Sequence, residues 1–342
     1  MDSLTQIVLG AACGEAVLGK KIGNKALLFG AIGGTIPDLD VLVGSWIYGN
    51  EIDAMLFHRG FMHSIFFSVV AAFGFGWLVY KLYNSGKRQS TTTQKDWIML
   101  FFWSLFTHPI LDAFTPYGTQ LFAPFTNYRV ALNNIAVADP AYTLPFLICM
   151  VVVMFFKRVS KKRRLWLKLG IGISSVYLLF TLGNKLYVNS IFKKSLMAAN
   201  INAFRYSTQP AIFNNILWYA IAETETAYYV ADYSLFDTQK RFLNFREIPK
   251  MRDLQPSEYS DIKALAWFSN GYYSVYAIND NEYRYNDLRY PLLDPEDPDS
   301  SVFSLLLYED NNRLNMKPFE PKFDRLMRFL YLFGNGSKVY DF

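Results

Sequence analysis

The chain has 342 residues, with 34 Lys+Arg against 29 Asp+Glu and a hydrophobic share of 52%. A mean hydropathy of +0.10 is high for a soluble protein and low for one that is all membrane, which points to one domain of each kind. Positions 1–204 carry 19 basic and 9 acidic residues, and positions 205–342 carry 15 and 20. The basic excess sits in short clusters between apolar runs, a membrane-topology pattern that excludes a nucleic-acid face of interleaved basic and polar readers.

The N-terminus, MDSLTQ, lacks a basic stretch and a small-residue cleavage site, so no cleavable signal peptide is expected. Two runs follow, residues 4–18 and 26–36, both rich in small residues. They read as a hairpin in close helix contact. Residues 64–83, 97–111, 142–156 and 165–184 are further apolar runs, and the first and last have the length of a bilayer core. The expected fold is an α-helical membrane domain of about six hydrophobic segments over residues 1–190. A linker at 191–204 and a soluble, mainly β domain over 205–342 complete it.

Cytoplasmic loops carry the Lys and Arg excess. The clusters at 157–164 (KRVSKKRR), at Lys81, Lys87, Arg88 and Lys95, and at Lys20, Lys21 and Lys25 fall at alternate turns of six crossings. Loops 37–62 and 112–141, the N-terminus and the C-terminal domain are then extracytoplasmic. This makes the chain a multi-pass protein whose partner is the lipid bilayer.

From residue 205 the sequence changes. Stretches rich in Tyr, Trp, Val and Ile, broken by Asn, Asp and Gly, read as antiparallel strands, with the tyrosines as packed aromatics. Residues 291–301 form an acidic, proline-rich loop without the spacing of a Ca²⁺ loop. FDRLMRFLYLF, residues 323–333, reads as a helix. Cys13 and Cys149 stand apart in apolar segments and read as small buried hydrophobes. There is no internal repeat, phosphate loop or dinucleotide fingerprint.

Only three histidines occur, and the topology puts all of them on one leaflet. TIPDLD supplies Asp38 and Asp40, which in an extended loop would point the same way. HRGFMHS supplies His58 and His63, five apart, with Gly60 permitting a turn between them. THPILD supplies His108 and Asp112 at helical i,i+4 spacing. Ionisable residues at membrane depth mark function. Six N/O donors without a thiolate suit Zn, Mn or Fe. They exceed the needs of one catalytic zinc, so two ions sharing a carboxylate are expected. Asp139 is a further candidate ligand, with a helix cap as its ordinary role. Arg59 is placed to hold phosphate oxygens, and Asp40 or Asp112 to act as general base.

These residues resemble a known family. MDSLTQIVLGAACGEAVLGKKIGNKALLFGAIGGTIPDLD, HRGFMHS, THPILDAFTPYGTQLFAPF and ADP at 138–140 together are similar to the YdjM-like family, over about residues 1–190. The family is described as LexA-regulated, associated with the bacterial inner membrane and, on its motifs, composed of metal-dependent hydrolases. The resemblance implies ligands at Asp38, Asp40, His58, His63, His108 and Asp112. Two positions depart from it: Gln6 stands where many members have His, and Met62 where Thr or Ser is usual.

The resulting expectation is a membrane-bound hydrolase at the outer face of the inner membrane. It would use metal-activated water on an ester, a phosphoester of a lipid or envelope precursor. The alternatives are a membrane protein stabilised by a non-catalytic metal, and an ion-binding transporter.

Overall fold

The computed structural model describes residues 1–291, 301–310 and 313–318. It divides into two compact units. The first comprises Met1–Val43, Phe57–Gly183 and Ile212–Asn214, and the second Gly44–Leu56, Asn184–Ala211 and Asn215–Phe342.

The first unit is helical. Asp2 caps α1 (Ser3–Ile22) by accepting from the Thr5 N–H. Gly23, at φ 63°, turns the chain into α2 (Asn24–Thr35). The hairpin read from small residues is present and its contact is backbone on backbone. A Cβ on Gly10 would meet the Gly34 Cα at 2.9 Å, and one on Gly14 the Gly30 Cα at 2.8 Å. Four glycines therefore set the interhelical distance. Pro37 ends α2 and opens a 3₁₀ turn, Pro37–Leu39, and the axis bends by 42° into α3 (Asp40–Ile47). After α4 (Glu51–Phe57) a second 3₁₀ turn, Phe61–His63, leads to Ser64. The Ser64 side chain accepts from the Phe67 N–H and starts α5 (Ile65–Tyr83).

A capping box of Thr93 and Asp96 starts α6 (Gln94–Asp112), which continues through Pro109 to its end. Asp139 caps α7 (Pro140–Met154), and α8 (Lys161–Ala198) runs for 38 residues. It occupies positions 191–198 of the stretch read as a linker. One apolar core joins Val8, Ala12, Leu111, Tyr142, Phe146 and Val153. A second joins Leu18, Ala26, Ala72, Trp97, Leu100 and Leu105.

Each of the six apolar runs is a helix, but six crossings are not supported. By length and composition, Ile65–Tyr83 and Lys161–Ala198 can cross a membrane, and the bent pair Asn24–Thr35 with Pro37–Ile47 makes a third at most. The reasons are local. Glu15, Lys20 and Lys21 and many small residues dilute α1. Lys95, Asp96, His108 and Asp112 dilute α6, and α7 has only 15 residues. An apolar run cut short by charge buries well among neighbouring helices without spanning the hydrocarbon.

The second unit holds two four-stranded antiparallel sheets. One has the order β1 (Arg205–Pro210), β2 (Leu217–Glu223), β3 (Ala227–Ser234), β4 (Arg246–Pro249). Next comes α9 (Ser260–Phe268). The other sheet has the order β5 (Tyr273–Asn279), β6 (Glu282–Asp287), β7 (Ser304–Asp310), β8 (Arg313–Pro318). The tyrosines pack as read from their spacing: Tyr228, Tyr233, Tyr273 and Tyr285 are buried, and Tyr273 stacks on Tyr285 at 5.3 Å between centroids. The helix read at 323–333 and the acidic loop at 292–300 lie outside the described residues.

Candidate metal centre

The TIPDLD loop is a 3₁₀ turn and not the extended loop its alternation suggested. Its two carboxylates therefore diverge and take the two nitrogens of one imidazole. Asp38 Oδ1 lies 3.4 Å from His63 Nε2, and Asp40 Oδ2 lies 2.9 Å from His63 Nδ1. The turn before His63 also differs in detail. The left-handed backbone falls on Arg59, at φ 59°, not on Gly60. Gly60 is required for closeness instead, since a Cβ there would meet the Phe57 carbonyl oxygen at 2.8 Å. A non-glycine residue at positive φ is a cost kept where surrounding contacts demand it. Here the Arg59 N–H donates to Asp40 Oδ2 at 2.9 Å.

His108 reaches the same point from α6. Its Nε2 is 3.1 Å from His63 Nε2 and 3.4 Å from Asp38 Oδ1. Three donor atoms thus form a triangle with edges of 3.1, 3.4 and 3.4 Å. Tetrahedral coordination with bonds of about 2.0–2.1 Å has ligand–ligand edges of about 3.3 Å. Among the described residues Asp38, His63 and His108 form the group able to hold a metal ion.

Protonation supports the fit. His108 Nδ1 lies 2.6 Å from the Gly34 carbonyl oxygen, so it carries the proton and donates. His63 Nδ1 faces the Asp40 carboxylate. That contact is off-line for an ideal hydrogen bond, but a bare nitrogen there would oppose oxygen lone pairs. Both imidazoles are then Nδ1–H tautomers with a lone pair on Nε2. Two such lone pairs facing each other at 3.1 Å are reconciled by a metal ion between them or by a proton on one Nε2.

Asp112 lies against the triad, with Oδ2 3.5 Å from His63 Nε2 and 3.7 Å from His108 Nε2. That oxygen is fully buried and accepts no hydrogen bond, as suits a fourth donor. Around it stand Arg59, whose Nε is 3.1 Å from Oδ2, and the Met1 amino group and Gln6 Nε2 on Oδ1. Arg59 is buried, donates to Thr115 Oγ1 at 3.0 Å and lies over the Tyr117 ring at 4.6 Å.

The remaining candidates sit further out. Asp40 gives Oδ1 to His58 Nδ1 at 2.7 Å and Oδ2 to His63 and the Arg59 N–H. His58 turns its Nδ1 to Asp40 and packs edge-on against the His63 ring at 5.5 Å between centroids, and it is the one partly exposed histidine, its side chain 23% accessible. Asp139 is engaged elsewhere. Oδ1 accepts from Ala141 and Tyr142 N–H and caps α7, while Oδ2 accepts from Tyr177 Oη at 2.9 Å. Burial pushes its carboxyl above the usual range.

Two features escaped the sequence. Gln6 is buried and donates to Asp112 and the His108 carbonyl, so it serves the site as an anchor. Glu15 and Arg163 form a buried bidentate pair, Oε1 to Nε 2.7 Å and Oε2 to Nη2 2.6 Å. A lone acid in an apolar helix was the available signal.

No solved structure matches the chain. The uncharacterized protein YfhP of Bacillus subtilis (strain 168) is 31% identical over 154 residues, covering 41% of this chain and 42% of YfhP. The chain thus spans less than half of that relative. The family described as YdjM inner membrane protein matches residues 1–188, more than half of the chain and the whole of the triad. The chain belongs to the YdjM family of inner membrane proteins.

Proposed function

We propose that this chain is a membrane-bound, metal-dependent hydrolase whose ion is held by Asp38, His63 and His108, with Asp112 as fourth donor. The observation that carries the metal is the pair of Nε2 atoms 3.1 Å apart, 3.4 Å from Asp38 Oδ1, with His108 Nδ1 bonded to the Gly34 carbonyl and His63 Nδ1 facing Asp40. A nitrogen and oxygen donor set without thiolate suits zinc, manganese or iron. Bound there, such an ion supplies Lewis-acid activation of water near neutral pH. One ion fits this donor group better than two, because Asp40 and His58 are tied to each other.

The chain's own residues take distinct parts. Asp40 fixes the tautomer and direction of His63 and, with both oxygens engaged, serves as a positioning group rather than a base. Arg59 balances the charge of Asp112. That commitment leaves it a poorer phosphate clamp than its place in HRGFMHS suggested. We place the centre at the outer face, because Lys81, Lys87 and Arg88 stand at the opposite end of α5 from Ser64. A lipid or envelope-precursor phosphoester is the substrate class that fits that level.

The test is metal content and phosphoester hydrolysis by the detergent-purified protein, wild type beside His63→Ala. Stoichiometric metal and turnover, both lost in a folded variant, support the proposal; retained turnover in a metal-free variant overturns it. Burial favours a second reading. His63, His108 and Asp112 are at most 1% exposed, the closed character of a structural metal site. That reading expects metal removal to lower the melting temperature with no reaction altered.

A further inference from the structure

Beyond the metal centre, the loop that closes over its turn carries an apolar tip. Residues 117–128, YGTQLFAPFTNY, contain no charge. Paired hydrogen bonds between Thr119 and Val130, 3.1 and 2.9 Å, close the loop at its base. That base is fastened to the turn that holds His63. Gln120 N–H donates to the Arg59 carbonyl at 3.1 Å, Thr119 Oγ1 to the His63 carbonyl at 3.4 Å, and Ile65 N–H to the Leu121 carbonyl at 3.0 Å. At the tip Phe122 is 50%, Phe125 80% and Tyr128 65% exposed.

Such rings in water are costly, and their surroundings identify what covers them. Phe125 packs edge-on against Phe66 at 5.9 Å, and Phe66 lies 6.2 Å from Phe61. Phe66 begins the outward face of α5, where Val69, Val70, Phe73 and Trp77 are all exposed. That helix is apolar and long enough to cross a membrane, so lipid covers this face. The loop tip continues the same apolar surface past the helix N-terminus. Uncharged Phe and Tyr at the end of a span, with Arg129 just behind them, have the composition of a membrane–water interface.

We propose that the tip of loop 117–128 is a bilayer-docking surface: Phe122, Phe125 and Tyr128 insert at the headgroup–acyl boundary, on the membrane face that α5 enters. The loop base then holds the His63 turn at a fixed depth just below the headgroups. The inference does not depend on catalysis and stands or falls apart from the hydrolase reading.

The experiment uses the full-length protein, with Cys13 and Cys149 replaced by Ala, reconstituted in phosphatidylethanolamine–phosphatidylglycerol vesicles. Phe125→Cys carries an environment-sensitive NBD label. Phe236→Cys, which replaces a side chain 80% exposed in the second unit, is the control. Lipids with nitroxides at shallow acyl positions should quench the label at 125 strongly and blue-shift its emission, while aqueous iodide quenches it much less than at 236. Equal iodide quenching at the two positions overturns the proposal, because the tip is then in water. Protection from both quenchers also overturns it, because protein then covers the tip, whether a second copy or another part of the chain. Should Phe125→Cys fail to fold, Tyr128→Cys takes its place with the same outcomes.

Discussion

His63 and His108 face one another through their Nε2 atoms at 3.1 Å, with the Nδ1 of each turned toward a different acceptor. The two acceptors, a carboxylate and a backbone carbonyl, come from sequence 23 and 74 residues away. Without a cation, one ring must take a second proton or the pair must part. Metal binding is therefore linked to folding. Zinc or manganese at about 100 times its Kd should stabilise the protein by about 2.7 kcal/mol. A thermal-melt titration reads this as a rise in Tm that EDTA reverses. His108→Gln should abolish the rise, and a wild-type protein indifferent to all divalent ions would remove the site.

Asp40 and Asp38 are two residues apart and do different work. Asp38 offers its oxygen to the triad, while Asp40 holds the far nitrogen of His63. Loss of such a supporting carboxylate costs about 10- to 100-fold in metal affinity. Asp40→Asn should weaken binding by that order and leave stoichiometry intact at high metal. Asp38→Asn should lose the site outright. Competition with a chromogenic chelator measures both, and equal effects would mean that Asp40 is itself a ligand.

The constellation was legible because it was local. PDLD, HRGFMHS and THPILD each put their ligands within seven residues, and a shortage of histidine made each one visible. Their division of labour was not legible. Whether a carboxylate faces a metal or the back of a histidine depends on a 3₁₀ turn that alternation cannot foretell. Spans were over-read for a related reason. An apolar run of 11 to 20 residues is the same string whether lipid or other helices cover it, and here the α1–α2 glycine contact and α6 take up much of that surface. The sheets of the second unit followed from β-branched and aromatic spacing alone.

Gly14 packs on Gly30 with no room for a side chain. Gly14→Leu should separate α1 from α2 and so pull Gln6 away from Asp112. Overpacking of this kind costs about 1–3 kcal/mol. Gly74, where an added Cβ would meet nothing within 4 Å, is the matched control in α5. Denaturant midpoints in detergent should fall for the first variant and stay for the second.

Glu15 and Arg163 tie α1 to α8 through a bidentate contact in which both side chains are at most 5% exposed. Arg163 also donates to the Asn24 side chain at 2.7 Å and to the Phe156 carbonyl at 2.8 Å. Glu15→Gln leaves a buried guanidinium without its counter-charge, which costs about 3–5 kcal/mol. Replacing both at once with Met removes both desolvation penalties and should recover most of that loss. A double-mutant cycle on unfolding midpoints separates the two effects. If the double variant is as unstable as Glu15→Gln alone, the carbonyls that Arg163 satisfies, and not its charge partner, are what hold this end of the helices together.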